Sequence, residues 1–160
     1  MSNKGSEEVI IPQEAIRFRV IANSNSKQDQ AEKKKVAKKL AEDVTDLIKD
    51  SDSIEEVREK LQSNVNNFSD LVNEQIKEDN YEGVVNVNYG NNYFPEKKYR
   101  GVVYDEGEYE SLVVTLGSGS GDNFWCVLFP PLCLLEAEED SDITDVKYTS
   151  FVKELLDKYF

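Results

Sequence analysis

Cys126 and Cys133 stand on either side of Pro130-Pro131, in a run from Phe124 to Cys133 that carries no charge and holds the only tryptophan, Trp125. Two thiols at this spacing can form a disulfide, act as a redox pair or lie reduced in an apolar core. They are not a Cys-x-x-Cys pair and no βαβ pattern surrounds them, which argues against thioredoxin-like chemistry. Inside a reducing compartment two buried thiols are expected; outside it, a short disulfide closing the Pro-Pro turn. The compartment decides between them. Just upstream, Gly117-x-Gly119-x-Gly121 invites a phosphate-binding reading. No Gly-Lys-Ser/Thr follows and no strand-to-helix context frames it, so a flexible hairpin or linker loop is expected instead. The chain holds 32 carboxylates and no histidine. The missing histidine removes the Ser-His-Asp triad, the Cys-His pair and every histidine-bearing zinc site. No Asp-Thr-Gly or Asp-Ser-Gly marks an aspartic protease. An extracytoplasmic hydrolase using a carboxylate pair on cell-wall glycans is kept as the alternative function.

These residues sit in a chain of 160 residues with a net charge of −13. Phosphate backbones and anionic membrane surfaces are bound by basic faces, so no nucleic-acid partner is expected. The apolar share of 39% can bury the core of one domain. No run approaches the roughly 20 apolar residues of a membrane helix, and Val9-Ile10-Ile11 is too short for a signal-peptide core. Residues 1–15 read as a polar lead-in and 16–160 as a single domain.

The elements that must position the apolar block follow from periodicity. Ile16 to Ala22 alternates apolar and polar with period two, predicting a half-buried strand. Asn23-Ser24-Asn25-Ser26 ends it, with Ser26 and Asp29 set as a helix cap. Ala37, Leu40, Ala41, Val44, Leu47 and Ile48 then form the stripe of a helix whose wet face carries Lys33 to Lys35, Lys38 and Lys39. Ser53-Ile54-Glu55-Glu56 is a capping box opening a second helix, striped by Ile54, Val57, Leu61, Val65, Phe68, Leu71 or Val72 and Ile76. Strands are predicted at Gly83–Tyr89, Tyr99–Tyr104 and Glu108–Leu116, with Asp105-Glu106-Gly107 as a hairpin turn and Tyr93-Phe94-Pro95 as a loop. Pro130 and Pro131 forbid a helix or a central strand, so the apolar block must be a shaped loop or an edge. Glu136–Asp142 reads as an acidic solvated loop, and Tyr148, Phe151, Val152, Leu155, Leu156 and Tyr159 as the apolar face of a closing helix. The order implies an α+β domain: a mainly antiparallel sheet of about four strands against a helical hairpin and a C-terminal helix.

Read together, five stretches carry a family resemblance. Ile16-Arg17-Phe18-Arg19-Val20-Ile21-Ala22-Asn23-Ser24 precedes Asp29-Gln30-Ala31 at the head of a lysine-rich helix. Tyr93-Phe94-Pro95 and Gly107-Glu108-Tyr109-Glu110-Ser111-Leu112 follow. The longest is Gly117-x-Gly119-x-Gly121-Asp122-Asn123-Phe124-Trp125-Cys126-Val127-Leu128-Phe129-Pro130-Pro131-Leu132-Cys133. In these the chain resembles the stage II sporulation protein R family, departing from it at Arg19, where histidine is expected, and at Phe124, where a second tryptophan is usual. The resemblance implies a non-enzymatic signalling protein secreted from the forespore into the space facing the mother cell. Its implied partner is a membrane-embedded aspartic protease that activates the early mother-cell sigma factor precursor. No cofactor, metal or small-molecule substrate is implied. The oxidising setting implies a bond between Cys126 and Cys133. The expected partner surface is Asn23, Ser24, Asn123, Phe124, Trp125, Phe129, Pro130 and Pro131, with core packing as the competing role for Trp125.

Overall fold

A computed structural model describes residues 8–134 and 144–160 of the chain. In order, the elements are β1 (Val9–Ile10), β2 (Ile16–Ile21), α1 (Lys27–Ile48), α2 (Ile54–Ser63), α3 (Val65–Glu78), β3 (Val85–Phe94), β4 (Lys97–Tyr99), β5 (Val102–Tyr104), β6 (Gly107–Leu116), β7 (Asn123–Phe129) and α4 (Asp145–Tyr159). The class is α+β, with two mixed, mostly antiparallel sheets. One has the order β3-β6-β2-β7, the other β1-β5-β4. In the larger sheet β2 runs parallel to β6 and antiparallel to β7.

Side-chain alternation along the larger sheet builds two cores. Phe18, Val20, Leu112, Val114, Cys126 and Leu128 face α1, α2 and α3. Trp125, Val127 and Tyr109, on the opposite face, meet β1, β5 and Tyr148 and Val152 of α4. The helices start where their caps predict. Ser26 Oγ accepts from Asp29 N, and Ser53 Oγ accepts from Glu56 N. Of the expected stripes, Ala37, Leu40, Ala41, Val44 and Ile48 in α1 and Val57, Leu61, Phe68, Val72 and Ile76 beyond it are buried, while Leu47, Ile54 and Val65 are half-buried.

Several expectations are corrected. The second helix is two, broken at Asn64, whose side-chain amide bonds the Lys60 carbonyl at 2.7 Å in competition with the helical ladder. The predicted strand Tyr99–Tyr104 is cut by Arg100 (φ 50°) and Gly101 (φ 84°), so the tight hairpin is β4–β5. Asp105-Glu106-Gly107 is no hairpin turn: β5 and β6 belong to different sheets, and β6 pairs with β3 from Val85↔Leu116 to Phe94↔Gly107. Tyr93 and Phe94 end β3 rather than forming a loop. β2 is not half-buried, because both faces of its sheet are covered there; Arg17 is fully buried. Lys33, placed on the wet face, is 6% exposed. Residues 9–15, drawn within the lead-in, contribute buried Val9, Ile11 and Ala15 to the second core. The acidic run 136–142 lies outside the described residues.

The apolar block is an edge strand, β7, with every residue from Trp125 to Phe129 buried. The prolines follow it immediately, after a cis Phe129–Pro130 bond, and end the ladder. Cys126 and Cys133 are disulfide-bonded, with Cα atoms 5.1 Å apart. Closing so short a loop stabilises the fold by about 2–3 kcal/mol on the loop-entropy argument.

Candidate functional site

Where β2 ends, four polar residues meet the glycine-rich connection from β6 to β7. The Asn23 side-chain oxygen accepts from Ser118 N at 2.9 Å, and its carbonyl from Ser118 Oγ and Ser120 N, both at 3.1 Å. Gly121 N donates to the Ala22 carbonyl at 2.9 Å, and Asp122 N to Asn25 Oδ1 at 2.7 Å. Beneath this clamp the carboxylate of Asp29, in the first turn of α1, accepts from Asn23 Nδ2, Ser24 Oγ and Tyr81 OH. Gln30 and Lys33 complete it from the next turn: Gln30 Nε2 reaches the Ser24 carbonyl at 3.1 Å, and Lys33 Nζ the Asp122 carbonyl at 3.3 Å.

The glycine connection is therefore held, not loose, and it is not a hairpin because β2 lies between β6 and β7. Gly117 adopts φ 56°, and a Cβ there would sit 2.2 Å from Asn23 Oδ1. A Cβ on Gly121 would meet the Ser24 carbonyl oxygen at 2.3 Å and its carbon at 2.5 Å. Since backbone cannot swing aside as a side chain can, Gly121→Ala is expected to cost about 2–3 kcal/mol. Its thermal unfolding compared with that of Ser120→Ala, an exposed neighbour in the same loop, measures the effect. Equal melting of the two would show that the clamp contributes nothing.

The electrostatics fix what this cluster can do. Ser24, then Tyr81 and Asn23, donate to the Asp29 carboxylate and hold its pKa at about 2. A carboxylate this weakly basic does not take a proton from a serine at neutral pH, so Ser24 is not activated as a nucleophile. Burial, and then the bond to Asp29, push the Tyr81 hydroxyl up to about 12. Neither group exchanges a proton near neutrality. The cluster is a rigid scaffold presenting exposed Asn25, Ser118, Ser120, Asp122 and Asn123 at one end of the sheet.

The sequence-predicted residues divide between the two ends of β7. At the clamp, Asn23 and Ser24 are half-buried and turned inward, Asn123 is exposed and Phe124 is half-buried. Register brings Asn123 beside Ile21 and Phe124 beside Val20. At the far end Phe129 is buried against Tyr159, ring centroids 4.7 Å apart, with Pro130 buried and Pro131 half-buried. Trp125 lies between them, 8% exposed, in the second core. Asp29, Gln30, Lys33 and Tyr81 were not singled out as a cluster; the signal for them was the run of short polar side chains before the helix, each able to bond backbone. Arg17 was also missed: its guanidinium carbon lies 3.6 Å from the Tyr109 ring centroid and 4.9 Å from that of Trp125. Elsewhere, Glu32 and Asp79 are neighbouring carboxyl groups, and the interaction with Asp79 adds to burial in raising the Glu32 pKa.

None of the described helices is long and apolar enough to cross a membrane. Comparison with known proteins bears on the same segments. Stage II sporulation protein R of Bacillus subtilis (strain 168) is 40% identical over 131 residues, covering 82% of this chain. The chain spans 58% of the length of that relative. No solved structure matches. The family described as stage II sporulation protein R matches residues 12–139, from the turn before β2 through the disulfide. With that coverage and identity, the chain belongs to the stage II sporulation protein R family.

Proposed function

We propose that this chain is a secreted, non-enzymatic signalling protein that switches on a membrane-embedded aspartic protease. On this reading it acts from the space between forespore and mother cell, and the protease then processes the early mother-cell sigma factor precursor. The observation that carries the reading is family membership across both the clamp and β7. The Cys126–Cys133 bond supports it, since disulfides persist in oxidising, extracytoplasmic settings. The clamp supports it too, as a rigid polar rim on which a partner can dock. A ligand of this kind works by binding the active state of its partner more tightly than the inactive one. On this reading Asn123 and half-buried Phe124, the first two residues of β7, make that contact.

Reconstitution tests it. With the protease in lipid vesicles and the precursor added, cleavage is expected only when this protein is present on the extracytoplasmic side. Asn123→Ala is expected to reduce cleavage several-fold with unchanged melting, because interface energy concentrates in a few contacts. Cleavage independent of the protein, or none with it, overturns the reading.

A further inference from the structure

β3 is an edge of the larger sheet. It pairs with β6 along all ten of its residues and, among the described residues, no strand lies on its other side. In an antiparallel ladder alternate residues of an edge turn both N–H and C=O outward. Proteins guard such edges with lysines, prolines, bulges or short strands. β3 has none of these. From Gly83 to Phe94 there is neither a charge nor a proline, in a chain that is 32% charged, and the register with β6 is unbroken. The opposite edge, β7, runs straight into Pro130-Pro131, and the chain then turns back so that Leu132 N donates to the Val127 carbonyl at 3.1 Å.

Two further features mark the same edge. Val84 and Tyr93, 77% and 53% exposed, stand at its two ends. Gly90, near its middle, has nothing within 4 Å of where a Cβ would stand. No neighbour requires a glycine there, and its lack of a side chain thins the strand at that point, where its carbonyl accepts from the Asn92 amide and the Ser111 hydroxyl, both at 3.3 Å. Exposed carboxylates stand around the strand, Glu82 before it, Glu96 after it, and Glu106 and Glu108 beside its end, alongside Arg19, which donates to the Tyr93 carbonyl at 2.7 Å, and exposed Lys98.

We propose that β3 is a docking edge that takes an extended segment of a partner protein as a fifth strand. The segment is uncharged along its centre and carries Lys or Arg toward its ends, matching the acidic rim. A second copy of this chain does not fit, because it would bring the same rim and a further charge of −13. The proposal rests on the reading of the chain as a protein ligand, and the test keeps the two apart.

The probe is the membrane protease in vesicles. Backbone hydrogen exchange of the full chain is followed with and without it, alongside binding of an Asn86→Lys plus Asn88→Lys variant. Both positions are exposed on β3, so the variant is expected to melt normally. Expected are new protection of β3 amides on binding and affinity at least about tenfold weaker in the lysine variant, with the Asn86→Gln plus Asn88→Gln variant near wild type. Binding with protection elsewhere and full affinity in the lysine variant overturns the docking edge and leaves the signalling role standing. No binding of wild type overturns both. Protection of β3 in a protease-free dimer assigns the edge to self-pairing and overturns the proposal.

Discussion

Trp125→Ala is expected to lower stability by about 3–5 kcal/mol, the range for truncating a large buried aromatic. The indole is 8% exposed, edge-on to Phe94 at 5.2 Å and to Tyr104 at 5.5 Å. Lys97 Nζ stands 4.4 Å over it and the Arg17 guanidinium carbon 4.9 Å away. Alanine therefore removes one wall from around a buried cation and leaves a cavity that β7 cannot collapse into, being tied to β2 and to Cys133. A domain typically holds only 5–15 kcal/mol in total, so a large part of its stability goes with this side chain. Urea unfolding measures it, with Trp125→Phe as the milder comparison that keeps an aromatic ring in place. An unchanged midpoint in Trp125→Ala would contradict the core role. On the proposed function, loss of signalling together with a lowered midpoint in this variant reports unfolding, whereas the exposed Asn123 tests contact with the partner.

The second large effect is on pH dependence. Glu32, on the buried side of α1, is 5% exposed, and burial, then the hydrogen bond to Asp79, raise its pKa to about 7. Asp79, at the end of α3, is lowered by its bonds to Gln75 and Glu32, and Lys35 stands 3.7 Å from it. The two shifts are opposite, so below about pH 7 Glu32 carries a proton while Asp79 is held in its charged form. Because the folded value lies above the ordinary 4.5, folding takes up a proton between those values. The stabilisation is complete below about pH 4.5, is lost as pH rises through about 7, and stays lost above it. The swing is on the order of 2–3 kcal/mol. Glu32→Gln supplies a permanent neutral donor to Asp79, so it is expected to match wild type at pH 5 and exceed it at pH 8. Parallel pH curves for the two proteins would show that Glu32 is ionised in the fold.

What was legible in the sequence was local. Both cap predictions hold because a serine hydroxyl meets an amide three residues on, whatever the rest of the chain does. The helical stripes hold for the same reason: the 3.6-residue period selects the buried face before any partner is known. The prolines at 130 and 131 left a shaped loop or an edge open for the apolar block, and the structure has the edge strand. Pairing was not legible. Asp105-Glu106-Gly107 has the composition of a hairpin turn, yet the strands around it go to different sheets, a choice made by β6's register with β3. Arg17 and Lys33 misled by charge. Each is buried because aromatic rings or backbone carbonyls from distant segments surround it, and such partners leave no trace at the charged position itself.

β2 sits between β6 and β7, so residues 16–21 are hydrogen-bonded to 111–115 on one side and to 123–129 on the other. A strand made before the helices thus has both its neighbours beyond them. The helices between can form locally, but the sheet centre closes only once β6 and β7 have been made, and non-local closure of this kind is slow. If the proposed export threads this chain N-terminus first through a membrane, its central ladder would wait until β7 had crossed. On that reading the topology would delay folding until Cys126 had reached the far side, with Cys133 just behind it.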